Sequence, residues 1–322
     1  MLKISQIREA RVLLTRFLPT TRLVAAPSLS KTAAADVLLK LECELPTGSF
    51  KPRGALYALS VNLARRKISE VIASSTGNHG AAVAYAARTL GVPAKIFLPA
   101  NPNPVKRAKI VELGAKVVET GGVDLADAFV EASEYARHND GVYFLNDATD
   151  PDLPAGPATI ACEILEQQLA TEVIYVPMGD TALIRGVAAA AKQLSSTVRI
   201  VGVQAEQAPS YFLSWKEGRP VGTATCETIA DGLATRTPEA ENVVEIRDLV
   251  DEVRLVSEEQ MLVAIRHLLL EEHIVAEPAG AAATAALMES RESGRTVVAL
   301  VTGSNVAPDV IRKAVCGETA QG

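Results

Sequence analysis

Several signatures of common protein classes are missing from this sequence of 322 residues. It contains no G-x-G-x-x-G after a strand-like run, no G-x-x-x-x-G-K-[ST] and no H-E-x-x-H, and it has only four histidines. The residues that dinucleotide sites, P-loops and zinc hydrolases need are therefore lacking. The formal net charge is −6, which argues against a nucleic-acid-binding protein because such proteins usually present a basic face.

Cysteine is also scarce, and no two of the four cysteines form a C-x-x-C pair. This spacing predicts neither a zinc knuckle nor a disulfide framework, but reduced thiols in the cytoplasm. The longest apolar stretches, such as 279–288, are too short to span a bilayer. At the start of the chain, Arg8 and Glu9 interrupt what would be the apolar core of a signal peptide. We therefore expect a cytoplasmic protein that binds neither membranes nor nucleic acid.

Short apolar runs rich in β-branched residues alternate with longer alanine-rich segments, such as 80–90 and 183–194. The runs that predict strands are 37–41, 71–74, 94–98, 116–119, 142–145, 173–176, 198–203 and 297–301. Strands without polar alternation, joined by helical crossovers, are typical of parallel sheets covered on both faces. The sequence thus predicts an α/β fold of about two domains, with a smaller sheet inserted within a larger one. We expect no appended regulatory domain after the last strand.

The segment Thr47 to Ala55 reads T-G-S-F-K-P-R-G-A. Ser49 is a good helix N-cap and Pro52 suits a first helical turn, so Lys51 is predicted to lie at a helix N-terminus beside Phe50. A positive helix end and apolar neighbours both disfavour the charged amine. A neutral amine is what a Schiff-base lysine needs, whereas a lysine without such a context is usually an ordinary surface residue.

Three further segments, 74–80, 176–183 and 301–305, carry polar turn residues directly after a predicted apolar strand. Free backbone N–H groups at a helix N-terminus bind anions, so the first suits a carboxylate and the second, with the Thr181 hydroxyl, another anion. Open α/β sheets bind ligands at the C-terminal ends of their strands. Each segment alone could be a simple capped turn, and His79 is predicted to be packed rather than catalytic.

In this order, the four segments resemble those of the fold-type II pyridoxal-phosphate enzymes, and most closely their threonine dehydratase and serine racemase branch. Residues 47–55 match the branch motif T-G-S-F-K-x-R-G-A at every fixed position. Residues 228–232 (T-I-A-D-G) and 276–281 (A-E-P-A-G-A) match the branch as well. The resemblance extends from about Leu18 to Asn305, nearly the whole chain.

The resemblance implies a tryptophan-synthase-β-like fold in which two parallel-sheet, three-layer domains combine. The large cofactor-binding domain would comprise residues 1–60 and 145–322, and the small mobile domain, residues 61–144, would be inserted in it. The resemblance also implies a homodimer.

The cofactor implied by the resemblance is pyridoxal 5'-phosphate. Lys51 would hold it as a Schiff base and shuttle protons, Phe50 would pack near the ring and Asn78 would contact the 3-hydroxyl. Thr302 stands where the family places a hydroxyl against the pyridine nitrogen, which gives a milder electron sink than a carboxylate would and suits β-elimination. The residues expected at the cofactor are Phe50, Lys51, Asn78, Met178, Gly179, Asp180, Thr181, Ala182, Glu277 and Thr302.

The substrate implied is a small amino acid whose carboxylate is held by the loop at residues 75–79. The expected substrate contacts are Ser75, Thr76, Gly77, Asn78, His79 and Thr235. Thr76 is also a candidate catalytic residue, because racemases carry a serine there that acts on the second face and many dehydratases carry alanine. The side chain that the site tolerates is expected to depend on loops near Asn146, Asp147 and Thr235.

The chain departs from the family pattern at two further places. The phosphate loop usually reads as four glycines, and here only Gly179 remains. We expect Asp180 to turn its carboxylate away from the phosphate and to cap the following helix. Glu206 matches a divalent-cation ligand of some branch members, but Phe212 stands where the partner aspartate would be, so no metal is expected.

The function implied is α,β-elimination from a small β-hydroxy amino acid such as serine or threonine. Lys51 would remove the α-proton, the β-hydroxyl would leave, and hydrolysis would give a 2-oxo acid and ammonia. Racemisation and β-replacement by an added nucleophile are alternatives on the same fold. A further alternative is a relative that binds cofactor or amino acid without turnover, which the altered phosphate loop favours.

Overall fold

The computed structural model describes residues 1–75, 77–102, 104–122 and 125–317. The strands are β1 (Leu23–Ala25), β2 (Asp36–Leu41), β3 (Glu70–Ser74), β4 (Ala94–Leu98), β5 (Lys116–Glu119), β6 (Val142–Phe144), β7 (Val173–Pro177), β8 (Arg199–Ala205), β9 (Glu252–Val256) and β10 (Thr296–Val301). The helices are α1 (Ile4–Leu14), α2 (Pro27–Ala33), α3 (Pro52–Arg65), α4 (Asn78–Leu90), α5 (Pro104–Glu112), α6 (Leu125–His138), α7 (Ala155–Gln167), α8 (Ala182–Leu194), α9 (Ser210–Glu217), α10 (Ala240–Leu249), α11 (Glu258–Leu270), α12 (Pro278–Met288) and α13 (Pro308–Cys316).

The strands of the described residues form two sheets. The larger has the order β1-β2-β10-β7-β8-β9, and the smaller has the order β5-β4-β3-β6. Every neighbouring pair is parallel except β1 with β2. The smaller sheet lies in the sequence between β2 and β7 of the larger, so the predicted α/β fold with an inserted sheet is confirmed. The domain bounds at 60/61 and 144/145 stay a prediction.

The central strand β10 shows why the sequence reads as unbroken apolar runs. Val297, Ala299 and Val301 pack into one core cluster, and Val298 and Leu300 pack into another on the opposite face. Because both faces are covered by helices, neither set of side chains can be polar. Strands were predicted in this way at eight places, and all eight are found with their ends within two residues.

The two strands that the sequence analysis missed lie at the edges of the larger sheet. β1 is only three residues long and pairs antiparallel with β2. β9 carries charged Glu252 and Arg254, and both side chains form ion pairs at the edge of the sheet. Edge strands have one unpaired side and tolerate charge there, so they lack the apolar run by which the central strands were recognised.

A buried ion cluster joins β2 to helices α3 and α7. Arg53, in the first turn of α3, donates from Nε to Glu42 (2.7 Å) and from Nη1 to Glu163 (2.8 Å). Lys40 of β2 donates to the same Glu163 at 2.7 Å. All four side chains are almost fully buried. Burial raises the pKa of Glu163, but the hydrogen bonds and charges of Arg53 and Lys40 outweigh it and lower the pKa to about 2. The cluster fixes the turn that carries Lys51.

Candidate active site

The turn before α3 is attached to the C-terminal end of β10. Ser49 is extended (φ −160°, ψ 165°) and pairs with Gly303, while the Phe50 N–H donates to the carbonyl of Thr302 at 3.0 Å. Helix α3 begins at Pro52 with Lys51 at the N-cap position. The expectation that Ser49 caps this helix is therefore wrong, because Ser49 is held in a strand-like pairing. Lys51 does lie at a helix N-terminus, as predicted.

The Lys51 amine faces Asp147, three residues after β6. Nζ donates to Oδ2 of Asp147 at 2.8 Å, and the side chains are 18% and 22% exposed. Burial lowers the pKa of Lys51, but the charges of Asp147, Asp180 and Glu277 outweigh it, so the pKa lies above its ordinary value. The expected lowering of this pKa is therefore wrong beside Asp147, and no motif in the sequence indicated a carboxylate so near to Lys51.

Asp147 is ionised in this arrangement. Burial raises the pKa of its carboxyl group, but the neighbouring His79 and Lys51 outweigh that effect and hold it well below the usual range. Asp147 belongs to no family motif in the sequence. A weak signal existed, since its loop follows a predicted strand whose C-terminal end would face the site.

The loop before α4 presents its polar groups to the same region. Asn78 donates from Nδ2 to Oε1 of Glu277 at 2.6 Å, and Asn305 donates to Oδ1 of Asn78 at 2.7 Å. Glu277 lies at the N-cap position of α12 and its N–H donates to the carbonyl of Gly303. The structure therefore brings Asn78 and Glu277, both predicted at the cofactor, into direct contact.

Of the predicted substrate loop, Ser75, Gly77 and His79 lie near Asn78 at the start of α4, and Thr76 lies outside the described residues. The Gly77 N–H donates to Oγ of Ser75 at 3.2 Å. His79 is 4% exposed and its Nε2 is 2.8 Å from the carbonyl of Leu145. Burial lowers the pKa of His79, and the charge of Asp147 partly opposes this effect. The prediction of a packed histidine agrees with this burial.

The phosphate-loop segment runs from the end of β7 to the start of α8. Gly179 is confined by its neighbour, because a Cβ there would lie 2.1 Å from the carbonyl oxygen of Gly232. Met178 is fully buried beneath the loop. Thr181 is only 2% exposed, has φ 69°, and its hydroxyl makes no hydrogen bond of normal geometry within the described residues, although the Tyr211 phenol is near. A buried hydroxyl without such a bond, at the N-terminus of α8, is ready to bind an anion.

Asp180 does not cap α8. That helix begins at Ala182 with Thr181 at the N-cap position, and the Thr181 side chain makes no capping hydrogen bond. The Asp180 carboxylate instead accepts a hydrogen bond from the Thr235 hydroxyl at 2.9 Å. The expected capping role is therefore wrong, because the left-handed backbone at Thr181 turns the preceding side chain away from the helix. Burial and the nearby charge of Asp147 raise the pKa of Asp180 to about 6.

Thr302 is buried at the end of β10, next to the Lys51 turn. Its hydroxyl makes a long hydrogen bond of 3.4 Å to the carbonyl of Ala279. A Cβ on Gly303 would lie 2.1 Å from Oε1 of Glu277, so a side chain there would displace the Glu277 carboxylate. The ends of β7 and β10, which are neighbours in the sheet, thus bring the phosphate loop and Thr302 to one edge.

Comparison with known proteins decides the family. The family model described as pyridoxal-phosphate dependent enzyme matches residues 14–303. The chain belongs to this family. Pyridoxal phosphate is therefore its cofactor, and the resemblance of the four motifs is confirmed.

Individual relatives refine this result. The L-threonine ammonia-lyase of Thermotoga maritima is 34% identical over 316 residues, which cover 98% of this chain and 78% of the relative. The L-threonine ammonia-lyase of Geobacter sulfurreducens is 36% identical over 309 residues, which cover 95% and 76%. Among solved structures, maize serine racemase has a TM-score of 0.89 and 26% identity, and the match covers 98% of this chain and 97% of that one.

The residues present fit pyridoxal phosphate. The anion-binding hydroxyl of Thr181 would hold the phosphate, Lys51 offers a primary amine for the aldehyde, and Asn78 offers an amide for the ring hydroxyl. Thr302 supplies a hydroxyl at the same edge of the sheet. Although three of the loop glycines are replaced, Thr181 adopts the left-handed conformation that glycine favours.

Two negative findings concern the described ranges only. No helix there is long and apolar enough to cross a membrane. No group of three or more histidine, cysteine, aspartate or glutamate side chains there could hold a metal ion. The argument from Glu206 and Phe212 against a metal stays a prediction.

Proposed function

We propose that the protein is an ammonia-lyase that acts on a small amino acid bearing a leaving group on its β-carbon, of the serine and threonine class, and releases a 2-oxo acid and ammonia. The single observation that carries this proposal is the Lys51 turn, with its amine facing Asp147 and lying near Asp180 and Glu277. The L-threonine ammonia-lyases that cover nearly all of the chain support the same reaction.

When bound, the cofactor supplies an electron sink for the negative charge that develops at the α-carbon. Lys51 accepts the α-proton, which requires its amine to be neutral at that step. The N-terminus of α4, with Ser75, Gly77 and Asn78, holds the substrate carboxylate through backbone N–H groups and an amide. These contacts orient the α-proton towards Lys51 and fix the direction from which the base acts.

Racemisation is the second candidate, and the resemblance to maize serine racemase is the observation that favours it. Thr76, at the position of the racemase serine, could deliver a proton to the second face. We expect elimination to be faster, because a hydroxyl such as that of Thr302 at the ring nitrogen gives a milder electron sink. Chiral chromatography of residual L-serine, run beside a coupled keto-acid assay, decides between them. Rapid formation of the D-enantiomer with little keto acid would favour the racemase.

The same assays also test the two remaining alternatives, a β-replacement synthase and a non-catalytic relative. A β-replacement synthase would form a new amino acid when a thiol is added and would release little keto acid. A non-catalytic relative would show the visible band of bound cofactor and no turnover of serine or threonine.

The role of Lys51 has a direct chemical test. Purified holoenzyme is expected to be yellow and to lose its visible band on borohydride reduction, which fixes the cofactor to the lysine that holds it. Peptide mapping should find the adduct on Lys51, and Lys51→Ala should abolish it, whereas Lys109→Ala should not. An adduct on Lys40 or Lys109 would end the assignment.

The finer expectations belong to this proposal as well: a cytoplasmic homodimer in which residues 61–144 move relative to residues 1–60 and 145–322. Sedimentation equilibrium tests the dimer. Small-angle scattering with and without a non-reacting amino acid tests the movement, and unchanged curves would argue against a mobile small domain.

A further inference from the structure

Tyr211, near the start of α9, is a buried tyrosine beside the phosphate-loop segment. Its side chain is fully buried, and its phenol is near the Thr181 hydroxyl. Two groups at the start of α10 lie within hydrogen-bond distance of the phenol oxygen: the Glu239 N–H at 3.1 Å and Nδ2 of Asn242 at 3.2 Å. Tyr211, Glu239 and Asn242 lie outside the motifs by which the cofactor site was recognised.

The orientation of the Asn242 amide follows from a second contact. The same Nδ2 lies 2.9 Å from the carbonyl oxygen of Ala148. A carbonyl oxygen can only accept, so the atom that faces it is the amide nitrogen and not the amide oxygen. An amide nitrogen and a backbone N–H can only donate. The phenol oxygen of Tyr211 therefore accepts both hydrogen bonds, and these occupy its lone pairs.

With its lone pairs occupied, Tyr211 can act towards any further neighbour only by donating its own proton. The Thr181 oxygen is near the phenol and makes no hydrogen bond of normal geometry to the described part of the chain. If Tyr211 donates to this oxygen, the Thr181 proton is left in need of an acceptor. A buried donor without an acceptor is costly. Because Thr181 stands at the N-cap position of α8, where an anion is favoured, an anionic oxygen is the acceptor that fits.

We propose that Tyr211 is a positioning residue for the cofactor phosphate, and that it acts by directing the Thr181 hydroxyl towards a phosphate oxygen. Glu239 and Asn242 fix the phenol, the phenol donates to Thr181, and Thr181 donates to the phosphate. Hydrogen bonds in such a chain polarise one another, so the last donor binds an anion more strongly than an isolated hydroxyl does. This inference rests on the pyridoxal-phosphate cofactor and does not depend on which reaction the enzyme catalyses.

Equilibrium binding to the apo-protein provides the first test, because it needs no turnover. Pyridoxal phosphate and pyridoxal, which lacks the phosphate, are titrated separately and followed by the visible band that each gives on binding. Tyr211→Phe should raise the Kd for pyridoxal phosphate about tenfold and leave the Kd for pyridoxal within about twofold of its original value. An equal loss for both ligands would indicate a merely structural role and overturn the inference, as would an unchanged Kd for pyridoxal phosphate.

Tyr175→Phe is the matched control. Tyr175 is equally buried, but its hydroxyl donates to Glu292 at 2.7 Å. Both substitutions remove a buried hydroxyl that makes hydrogen bonds, so both should lower the free energy of unfolding measured in urea. Only Tyr211→Phe should change the ratio of the two Kd values. The same change of ratio in Tyr175→Phe would contradict a specific role of Tyr211.

A double-mutant cycle tests whether Tyr211 acts through Thr181. Thr181→Gly removes the hydroxyl and should by itself raise the Kd for pyridoxal phosphate about tenfold. Adding Tyr211→Phe to Thr181→Gly should then raise this Kd by less than about twofold, because the group that Tyr211 directs is already absent. Independent effects that multiply to about 100-fold would overturn the inference. Turnover of serine and threonine by the unmodified holoenzyme bears only on the proposed function, so the two proposals can fail separately.

Discussion

The buried ion cluster below the Lys51 turn predicts a large loss of stability on Glu163→Gln. Glu163 is 1% exposed and accepts hydrogen bonds from Lys40 and Arg53. Its pKa falls from 4.5 to about 2, and a lowering of this size corresponds to about 3 kcal/mol. Because the folded-state pKa is depressed, this stabilisation is present above pH 4.5 and is lost as the pH falls towards 2.

The substitution also leaves a buried cation without its counter-charge, so we expect a loss of about 3 to 5 kcal/mol in the free energy of unfolding at pH 7. Urea unfolding of the holoenzyme, followed by circular dichroism at a fixed cofactor concentration, measures it. Glu166→Gln is the matched control on the same helix: Glu166 is 58% exposed and pairs with Arg11 at 2.7 Å, so its loss should stay below about 1 kcal/mol. Adding Lys40→Met to Glu163→Gln restores the charge balance and should recover part of the loss. Equal effects of Glu163→Gln and Glu166→Gln would refute the reasoning.

Three other perturbations address the loops around the site. Asp180→Asn should stabilise the protein by about 1 to 3 kcal/mol at pH 8 and have little effect at pH 4. A carboxyl group whose pKa is raised to about 6 contributes its full stability below its unfolded pKa and loses it as the pH rises through 6. Equal thermal shifts at both pH values would contradict this. Thr181→Gly should weaken cofactor binding to the apo-protein about tenfold, through loss of a hydrogen bond to the phosphate, while Thr181→Ser, which keeps the hydroxyl, should bind normally. Activity should survive a chelator, because the ring of Phe212 cannot bind a hard cation, and a loss reversed by magnesium would contradict that.

The sequence was sufficient for the fold and for the residues that belong to motifs. Central strands such as β7 and β10 are recognisable because burial on both faces leaves only apolar residues. Asn78 and Thr302 were located because each follows the end of such a strand, and Lys51 was located by its motif and by the helix start that Pro52 indicates. Thr302 and the phosphate loop meet at one edge because β10 and β7 are parallel neighbours in the larger sheet. Asn78 follows β3 of the smaller sheet and is linked to the end of β10 by its hydrogen bond to Glu277, whose N–H donates to the carbonyl of Gly303.

The sequence analysis did not predict which side chains from distant turns contact each other. Asp147 was named only as part of a loop, and its contact with Lys51 joins residues separated by 96 positions. The charge state of the lysine follows from that contact, so the expected lowering of its pKa failed with it. Ser49 is a similar case, because a local capping preference was overridden by its pairing with Gly303.

The altered phosphate loop shows which of its glycines the fold requires. Gly179 is retained, and its contact with the Gly232 carbonyl leaves no room for a Cβ. Asp180 and Ala182 have ordinary negative φ values, so side chains are tolerated there. Thr181 keeps the left-handed conformation at φ 69°, which costs a β-branched residue on the order of 1 to 3 kcal/mol and persists only where the surroundings enforce it. The loop backbone is thus maintained by packing rather than by glycine. This strain agrees with the proposal that the Thr181 hydroxyl is held in one place to bind the cofactor phosphate.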